Sequence, residues 1–409
     1  METSGRSLLS WTFRLGSAKP RKWSGRAGLC LAACLASTAD SAGVRELTPE
    51  VRAKLFAATA SVKLTGPAVT LRLDATDSSG HYKCPYLRVY VNGQGPFVFL
   101  LDTGAAYSVV SSRVVQAART PVMFDRGGHR DIVRIASMTV GGVTLQDLWA
   151  VHTDDNPGVD GLLGFPAFGA SNLLFDLKAR RLTVSTAPMP LKRAFKLPYL
   201  MPLNVPTIPL VIGGRTIQTL IDTGDDAYGL ELRSDELTGA RFVHPPRTAG
   251  NVLNGETVQP TSVTTLKYRV ALGPVHADGA VIGINDLLPV GDLGYKVLRQ
   301  FRLAFDPARR IVRFEPLSTG NRFEIRADPT PGFTIALETG EIRSVVHDSA
   351  AERAGVASGD HIVAIDGRPV TAFDRRSWDV LLNRARHLTV RWDHEGARHR
   401  AVLPVVEPR

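Results

Sequence analysis

The chain repeats itself, and the repeat limits its fold more than any other feature. From Leu87 it reads Leu-Arg-Val-Tyr-Val-Asn-Gly-Gln-Gly-Pro-Phe-Val-Phe-Leu-Leu-Asp102-Thr103-Gly104. From Pro209 it reads Pro-Leu-Val-Ile-Gly-Gly-Arg-Thr-Ile-Gln-Thr-Leu-Ile-Asp222-Thr223-Gly224. Each copy is an alternating apolar run, a turn at Asn92-Gly93 or Gly213-Gly214, and a second apolar run ending in Asp-Thr-Gly. Two such runs around a glycine turn predict a β-hairpin. The landmarks continue downstream. Asp160-Gly-Leu-Leu-Gly164 leads to Leu174-Phe175-Asp176, and Asp292-Leu293-Gly294 leads to Ala304-Phe305-Asp306, with 12 residues from glycine to aspartate in both copies. One unit has been duplicated.

Between the landmarks the pattern stays β-like. Met138–Val140 and Val143–Leu145 flank Gly141-Gly142, and Leu266–Leu272 reads as a further strand. Short strands punctuated by glycine predict closed sheets. Six prolines between Pro188 and Pro209 mark a linker between the units. The expected organisation is a leader at 1–42, an N-terminal extension at 43–82, a first lobe at 83–190, a second at 191–318 and a separate module at 323–405.

The paired Asp-Thr-Gly triplets suggest a chemistry. Peptide hydrolysis needs a water made nucleophilic and a carbonyl oxygen polarised, and two carboxyls sharing one proton supply both. Like charges a few ångströms apart resist ionising together, so such a pair keeps one proton over a wide pH range. Asp102 and Asp222 are the candidate pair. An apolar strand delivers each into a dry site, Thr103 and Thr223 are placed to bond across the interface, and Gly104 and Gly224 permit a turn bringing backbone N–H groups to the carboxylates.

In these motifs, residues 83–317 resemble the pepsin and retropepsin clan of aspartic peptidases, in the form in which one chain carries both lobes. Phe99-Leu-Leu-Asp-Thr-Gly-Ala105 and Leu220-Ile-Asp-Thr-Gly224 match its catalytic loops. Gly161-Leu-Leu-Gly164 and Leu293-Gly294 resemble the segment that passes beneath each loop and braces it. The resemblance implies a mainly β fold of two duplicated barrel lobes, no cofactor or metal, and flaps over the substrate; Asp125–His129 and Thr248–Asn251 lie where flaps are expected. One departure stands out: Asp225 and Asp226 follow the second triplet, where the family has a small residue. Asp226 is expected to face solvent; Asp225 is left open.

The third segment differs in character. Asp348–Asp360 reads as a capped short helix ending at Gly355, and His361–Gly367 as a strand and tight turn. The string Ala-Gly-Val, Gly-Asp, Ile-Asp-Gly resembles a PDZ domain of the kind attached to bacterial proteases, an α+β module. That resemblance makes Gly332, Phe333, Thr334 and Ile335 the loop and edge strand receiving a peptide C-terminus. The alternative is a scaffold or dimer contact.

Composition adds limits. The formal charge is +10, but residues 1–42 hold six basic and two acidic residues, leaving 43 against 37 elsewhere. No basic run interleaves with aromatics, which argues against nucleic acid. The basic stretch before Ala27-Gly-Leu-Cys-Leu-Ala-Ala-Cys-Leu-Ala36 has the layout of a secretory signal, too short to span a bilayer as a helix. Leu31-Ala-Ala-Cys34 also resembles a lipoprotein box, which makes Cys34 a lipid-anchor candidate; a plain N-terminal tail is the third reading. Cys84 stands alone in the body, without a His-bearing motif or zinc spacing, and is read as core.

The expected function is an exported, periplasmic or lipid-anchored aspartic endopeptidase acting on protein or peptide substrates. Its rival is a catalytically inactive protein that keeps the fold and binds peptides. A further reading is self-processing that removes residues 43–82.

Overall fold

The computed structural model describes residues 47–407, apart from 58–59, 79, 81, 127–129, 156–157 and 255–256. The leader expectations, including Cys34, fall outside the described residues, as does the centre of the first expected flap. No described helix is long and apolar enough to cross a membrane.

The two repeats build two sheets, and their downstream ends join in a third. In the first unit, eight strands run in the order Ser61–Leu64, Val143–His152, Ser108–Val110, Gly161–Gly164, Gln94–Asp102, Tyr86–Val91, Ile132–Val140, Val122–Phe124. Ile132–Val140 also pairs with Val143–His152, which closes the sheet into a barrel. The second unit forms a nine-stranded sheet around Thr207–Ile212, Arg215–Ile221, Leu230–Leu232 and Gly291–Leu293. The predicted hairpins are present: Tyr86–Val91 pairs with Gln94–Asp102, and Thr207–Ile212 with Arg215–Ile221. Gly213 and Gly214 both carry positive φ, 57° and 83°, as a tight two-residue hairpin turn demands.

The third sheet has the order Phe195–Pro198, Ile311–Pro316, Phe301–Asp306, Asn172–Asp176, Arg181–Ser185, Ala68–Arg72. At its centre Leu173 pairs with Phe305, Leu174 with Ala304 and Phe175 with Leu303. Leu174-Phe175-Asp176 and Ala304-Phe305-Asp306 are repeat equivalents, so this antiparallel register is its own complement about the Leu174–Ala304 pair. Beneath it pack Phe165, Phe175, Phe301, Phe305 and Phe314, with Phe165 and Phe175 at 5.1 and 5.8 Å from Phe305. Each buried ring contributes about 1.5–3 kcal/mol.

Three expectations need correction. The stretch 43–82 is not separate from the lobes throughout: Ser61–Leu64 pairs with Val143–His152, and Ala68–Arg72 with Arg181–Ser185. The proline-rich linker contains a strand, Phe195–Pro198, paired with Ile311–Pro316. Leu266–Leu272 is not one strand, because only Val270–Leu272 pairs as such, while Leu266 makes an isolated bridge to Phe242.

The C-terminal module has its own core of Phe333, Ile335, Ile342, Ile362, Ile365, Trp378, Val390 and Trp392, among others. The expected short helix is Ala350–Arg353. Ser349 caps it by accepting from Glu352 N–H, and Gly355 follows at φ +85°. The longer helix Arg375–Arg384 opens on a capping box made by Asp374 and Ser377.

Candidate active site

Each Asp-Thr-Gly sits where a strand leaves a parallel pair. Gln94–Asp102 runs parallel to Gly161–Gly164, with Leu100 opposite Leu162 and Asp102 opposite Gly164. Arg215–Ile221 runs parallel to Gly291–Leu293, with Leu220 opposite Asp292 and Ile221 opposite Leu293. The bracing role expected of the downstream glycine segments has a structural basis: Asp222 N–H donates to Leu293 O at 3.0 Å, and Tyr295 N–H to Asp225 O at 2.6 Å. Val98 N–H and the Arg113 guanidinium both bond Asp160, at 2.8 and 2.7 Å, which fixes the start of the first brace.

The two loops lock into each other. Thr103 N–H donates to Thr223 Oγ1 at 3.1 Å, and Thr223 N–H to Thr103 Oγ1 at 3.0 Å. The two hydroxyls donate onward to Ile221 O and Leu101 O, at 2.5 and 2.7 Å. Asp102 and Asp222 thereby meet with their carboxyls in hydrogen-bonding contact, both fully buried. On the inner side, Asp102 Oδ1 accepts from Gly104 N–H at 2.9 Å; Asp222 Oδ1 accepts from Gly224 N–H at 2.6 Å and Asp225 N–H at 3.2 Å. Among the described residues, Oδ2 of each has no donor other than a carboxyl proton.

Gly104 and Gly224 each turn the chain so that a backbone N–H meets the carboxylate of their own loop, without positive φ at either. What the missing side chain adds is space. A Cβ on Gly104 would overlap the Asp222 carboxyl, and one on Gly224 would lie 2.7 Å from Asp102 Cγ. Each glycine makes room for the opposite aspartate.

The electrostatics are unequal. Burial, then the charge of Asp222, pushes Asp102 well above the usual carboxylate range. Burial also raises Asp222, but bonds from Asp102, Gly224, Asp292 and Asp225 pull the other way. Asp225 is buried and pushed up to about 7, by burial first and Asp222 second. Asp226 is half-buried rather than solvent-facing.

Two further carboxyls went unnoticed in the sequence. Asp292 and Glu231 are buried cross-strand partners, both pushed well above their usual range, by burial first. Their first-unit counterparts are the apolar pair Val109 and Leu162. The signal was present in the frame of the repeat: Gly161-Leu-Leu-Gly164 against Gly291-Asp-Leu-Gly294 places Asp292 on Leu162.

Around this centre, Cys84 is core as expected. Burial pushes its thiol well up, and Sγ donates to Gly224 O at 3.4 Å. The expected flap segment Thr248–Asn251 lies inside the strand Arg247–Asn254, which pairs with Thr257–Thr265, so it is not the hairpin tip. In the C-terminal module, Phe333–Ile335 is a strand with Phe333 and Ile335 buried and Thr334 exposed; Gly332 N–H donates to Thr330 Oγ1 at 3.1 Å. The module touches the second unit where His347 N–H donates to Thr248 O at 3.0 Å. Lys83 also bridges Asp328 and Asp379, at 2.7 and 3.4 Å.

Residues 87–167 match the family model for aspartyl protease, and residues 341–379 that for the PDZ domain. A putative zinc metalloprotease of Rhizobium meliloti (strain 1021) is 43% identical over 65 residues, which are 16% of this chain and 17% of that protein. Among the described residues, the closely spaced trio His347, Asp348 and Glu352 is exposed, and its groups bond one another: Glu352 accepts from Asp348 N–H at 2.7 Å and lies 3.2 Å from His347 Nδ1. The first match ends at residue 167, and the internal repeat ties the second unit to it. The chain thus joins an aspartyl protease family domain, carrying Asp102, to a PDZ domain.

Proposed function

We propose that this protein is an aspartic endopeptidase whose catalytic pair is Asp102 and Asp222. The observation that carries the reading is the reciprocal lock of Thr103 and Thr223, which presses two buried carboxyls together with donors on their inner oxygens only. Each aspartate has two backbone N–H groups beside it, but Asp222 also takes side-chain bonds from Asp102 and Asp292, which makes it the ionised partner; Asp102 keeps the proton. Asp222 takes a proton from water as the water oxygen bonds to the carbonyl carbon, while the Asp102 proton supports the carbonyl oxygen. Collapse of the tetrahedral diol passes a proton to the leaving nitrogen and breaks the C–N bond. Thr103 and Thr223 hold the geometry, and Gly104 and Gly224 admit it.

In this proposal the PDZ domain receives an extended peptide along Phe333–Ile335, with its C-terminus at Gly332. Export through the leader, with or without lipidation at Cys34, supplies a periplasmic or envelope setting. A fluorogenic peptide library scanned from acid to neutral pH tests the activity. Cleavage by wild type that disappears in Asp102→Asn and Asp222→Asn supports it; no carboxyl-dependent cleavage favours a peptide-binding protein that kept the fold.

A further inference from the structure

Strand alternation puts Leu100 and Asp102 on one face of their strand, and Leu220 and Asp222 on one face of theirs. The parallel register sets Leu162 opposite Leu100, and Asp292 opposite Leu220. Asp292 therefore belongs to the face that carries the catalytic pair. The first unit lines this face with Val109 and Leu162, and the second with Glu231 and Asp292. A buried leucine position has become a buried acid on one side only.

That acid has no conventional partner. Asp292 is fully buried, and among the described residues no N–H or hydroxyl reaches either of its oxygens. The contact its side chain does make is with the Asp222 carboxyl. Two carboxyl oxygens in such contact repel unless a proton lies between them, and an isolated buried carboxylate costs several kcal/mol. Asp222 is already the acceptor of the Asp102 proton, so the proton between Asp222 and Asp292 must reside on Asp292.

We propose that Asp292 is a positioning residue which, as a neutral acid, donates a hydrogen bond to Asp222 and thereby selects Asp222 as the ionised base of the pair. The catalytic carboxylate then has a neutral acid on each side, Asp102 across the unit boundary and Asp292 within its own unit. The surroundings favour the neutral form. The titratable groups facing Asp292 are Asp222 at the end of its strand, Asp225 in the loop after it and Glu231 on the neighbouring strand, all acidic. Lys296 is held by Asp328 at 3.1 Å and by Ala227 O at 2.5 Å, and its charge reaches Asp225 and Glu231. Asn285 bonds Glu231, which leaves Asp292 without that donor.

This inference rests on the catalytic reading above, and its test separates the two. Asp292→Leu restores the first unit's residue and removes the donor; Asp292→Asn keeps an N–H donor in the same place. The acid limb of kcat/KM should move up by about one pH unit in Asp292→Leu, a tenfold loss of activity on that limb, and stay at the wild-type position in Asp292→Asn. Equal limbs in all three proteins, or equal shifts in both variants, overturn the proposal. Difference infrared spectroscopy at neutral pH gives a readout independent of activity and of the folding of Asp292→Leu. A protonated-carboxyl band present in wild type and lost in Asp292→Asn supports the neutral acid, whereas no lost band overturns it. If wild type cleaves nothing, the catalytic reading fails while the infrared comparison still decides the state of Asp292.

Discussion

Thr103 and Thr223 are bonded to each other twice, each backbone N–H donating to the other's hydroxyl oxygen across the unit boundary. Replacing Thr223 with Val keeps the volume but strands Thr103 N–H and Leu101 O, both buried. Each orphaned group costs about 1–3 kcal/mol. Chemical denaturation of Thr223→Val should show a loss of that order per group, and Thr223→Ser should recover most of it. Activity should fall further than stability, because the same bonds press the carboxyls together.

Asp102→Asn leaves the amide where the proton donor stood but removes the shared proton. A fall in kcat of roughly 10²–10⁴-fold is expected for loss of a general acid–base group. Thermal unfolding should not suffer in parallel, since one buried carboxyl of the contact is replaced by a neutral group. A melting temperature that drops with activity would trace the loss to misfolding instead.

Asp225 supplies a test of linkage. Its folded pKa, about 7, lies above that of an unfolded aspartate, so the native state binds its proton more tightly. The stability it contributes is complete below the unfolded value near 4 and is lost as pH rises toward 7, at up to about 1.4 kcal/mol per pH unit. Asp225→Asn should flatten the decline of stability over that window. In kinetics the acid limb should stay in place, because Asp225 is neutral there. The alkaline limb should move down, since a negative Asp225 beside Asp222 no longer opposes a second charge on the pair. A shifted acid limb would instead put Asp225 in the ionising step.

N-terminal trimming separates two parts of the extension. Removal up to residue 60 spares both sheets but takes away the helix Pro49–Ala57, whose Phe56 stacks edge-on against Tyr107 at 6.1 Å. Removal up to residue 82 takes two paired strands and the buried Leu71 and Leu73. The shorter deletion should give a folded protein by circular dichroism and the longer one an aggregating chain. Comparing the N-terminus of purified wild type with that of Asp222→Ala then shows whether any trimming is self-inflicted.

The face that carries the paired aspartates was half legible in the sequence. Asp102 and Asp222 could be found because each ends an apolar strand and each has a repeat equivalent, two local signals that agree. Asp292 failed both. A carboxylate inside Gly-Asp-Leu-Gly looks like a turn residue, and only superposing the repeats in frame shows that it replaces a leucine. Ser61–Leu64 and Ala68–Arg72 were missed for another reason. They are short edge strands whose partners, Val143–His152 and Arg181–Ser185, lie far along the chain, so no local pattern announces the pairing. The strand expected at Leu266–Leu272 erred in the opposite direction, because an apolar run does not reveal where its hydrogen bonds go.

The self-complementary register at Leu174 and Ala304 has a consequence for how such a chain diverges. A strand that pairs with its own equivalent would assemble two identical subunits as readily as two halves of one polypeptide. In a symmetric dimer any substitution appears twice, so an acid at the Leu162 position would flank both paired carboxyls and leave them alike. Covalent fusion removes that constraint. It also replaces a concentration-dependent encounter with a tethered one, at an effective concentration in the millimolar range for a short connection. Only after fusion can one half keep Leu162 while the other adopts Asp292, so the inequality of the two aspartates is a property that a homodimer of either half is unable to possess.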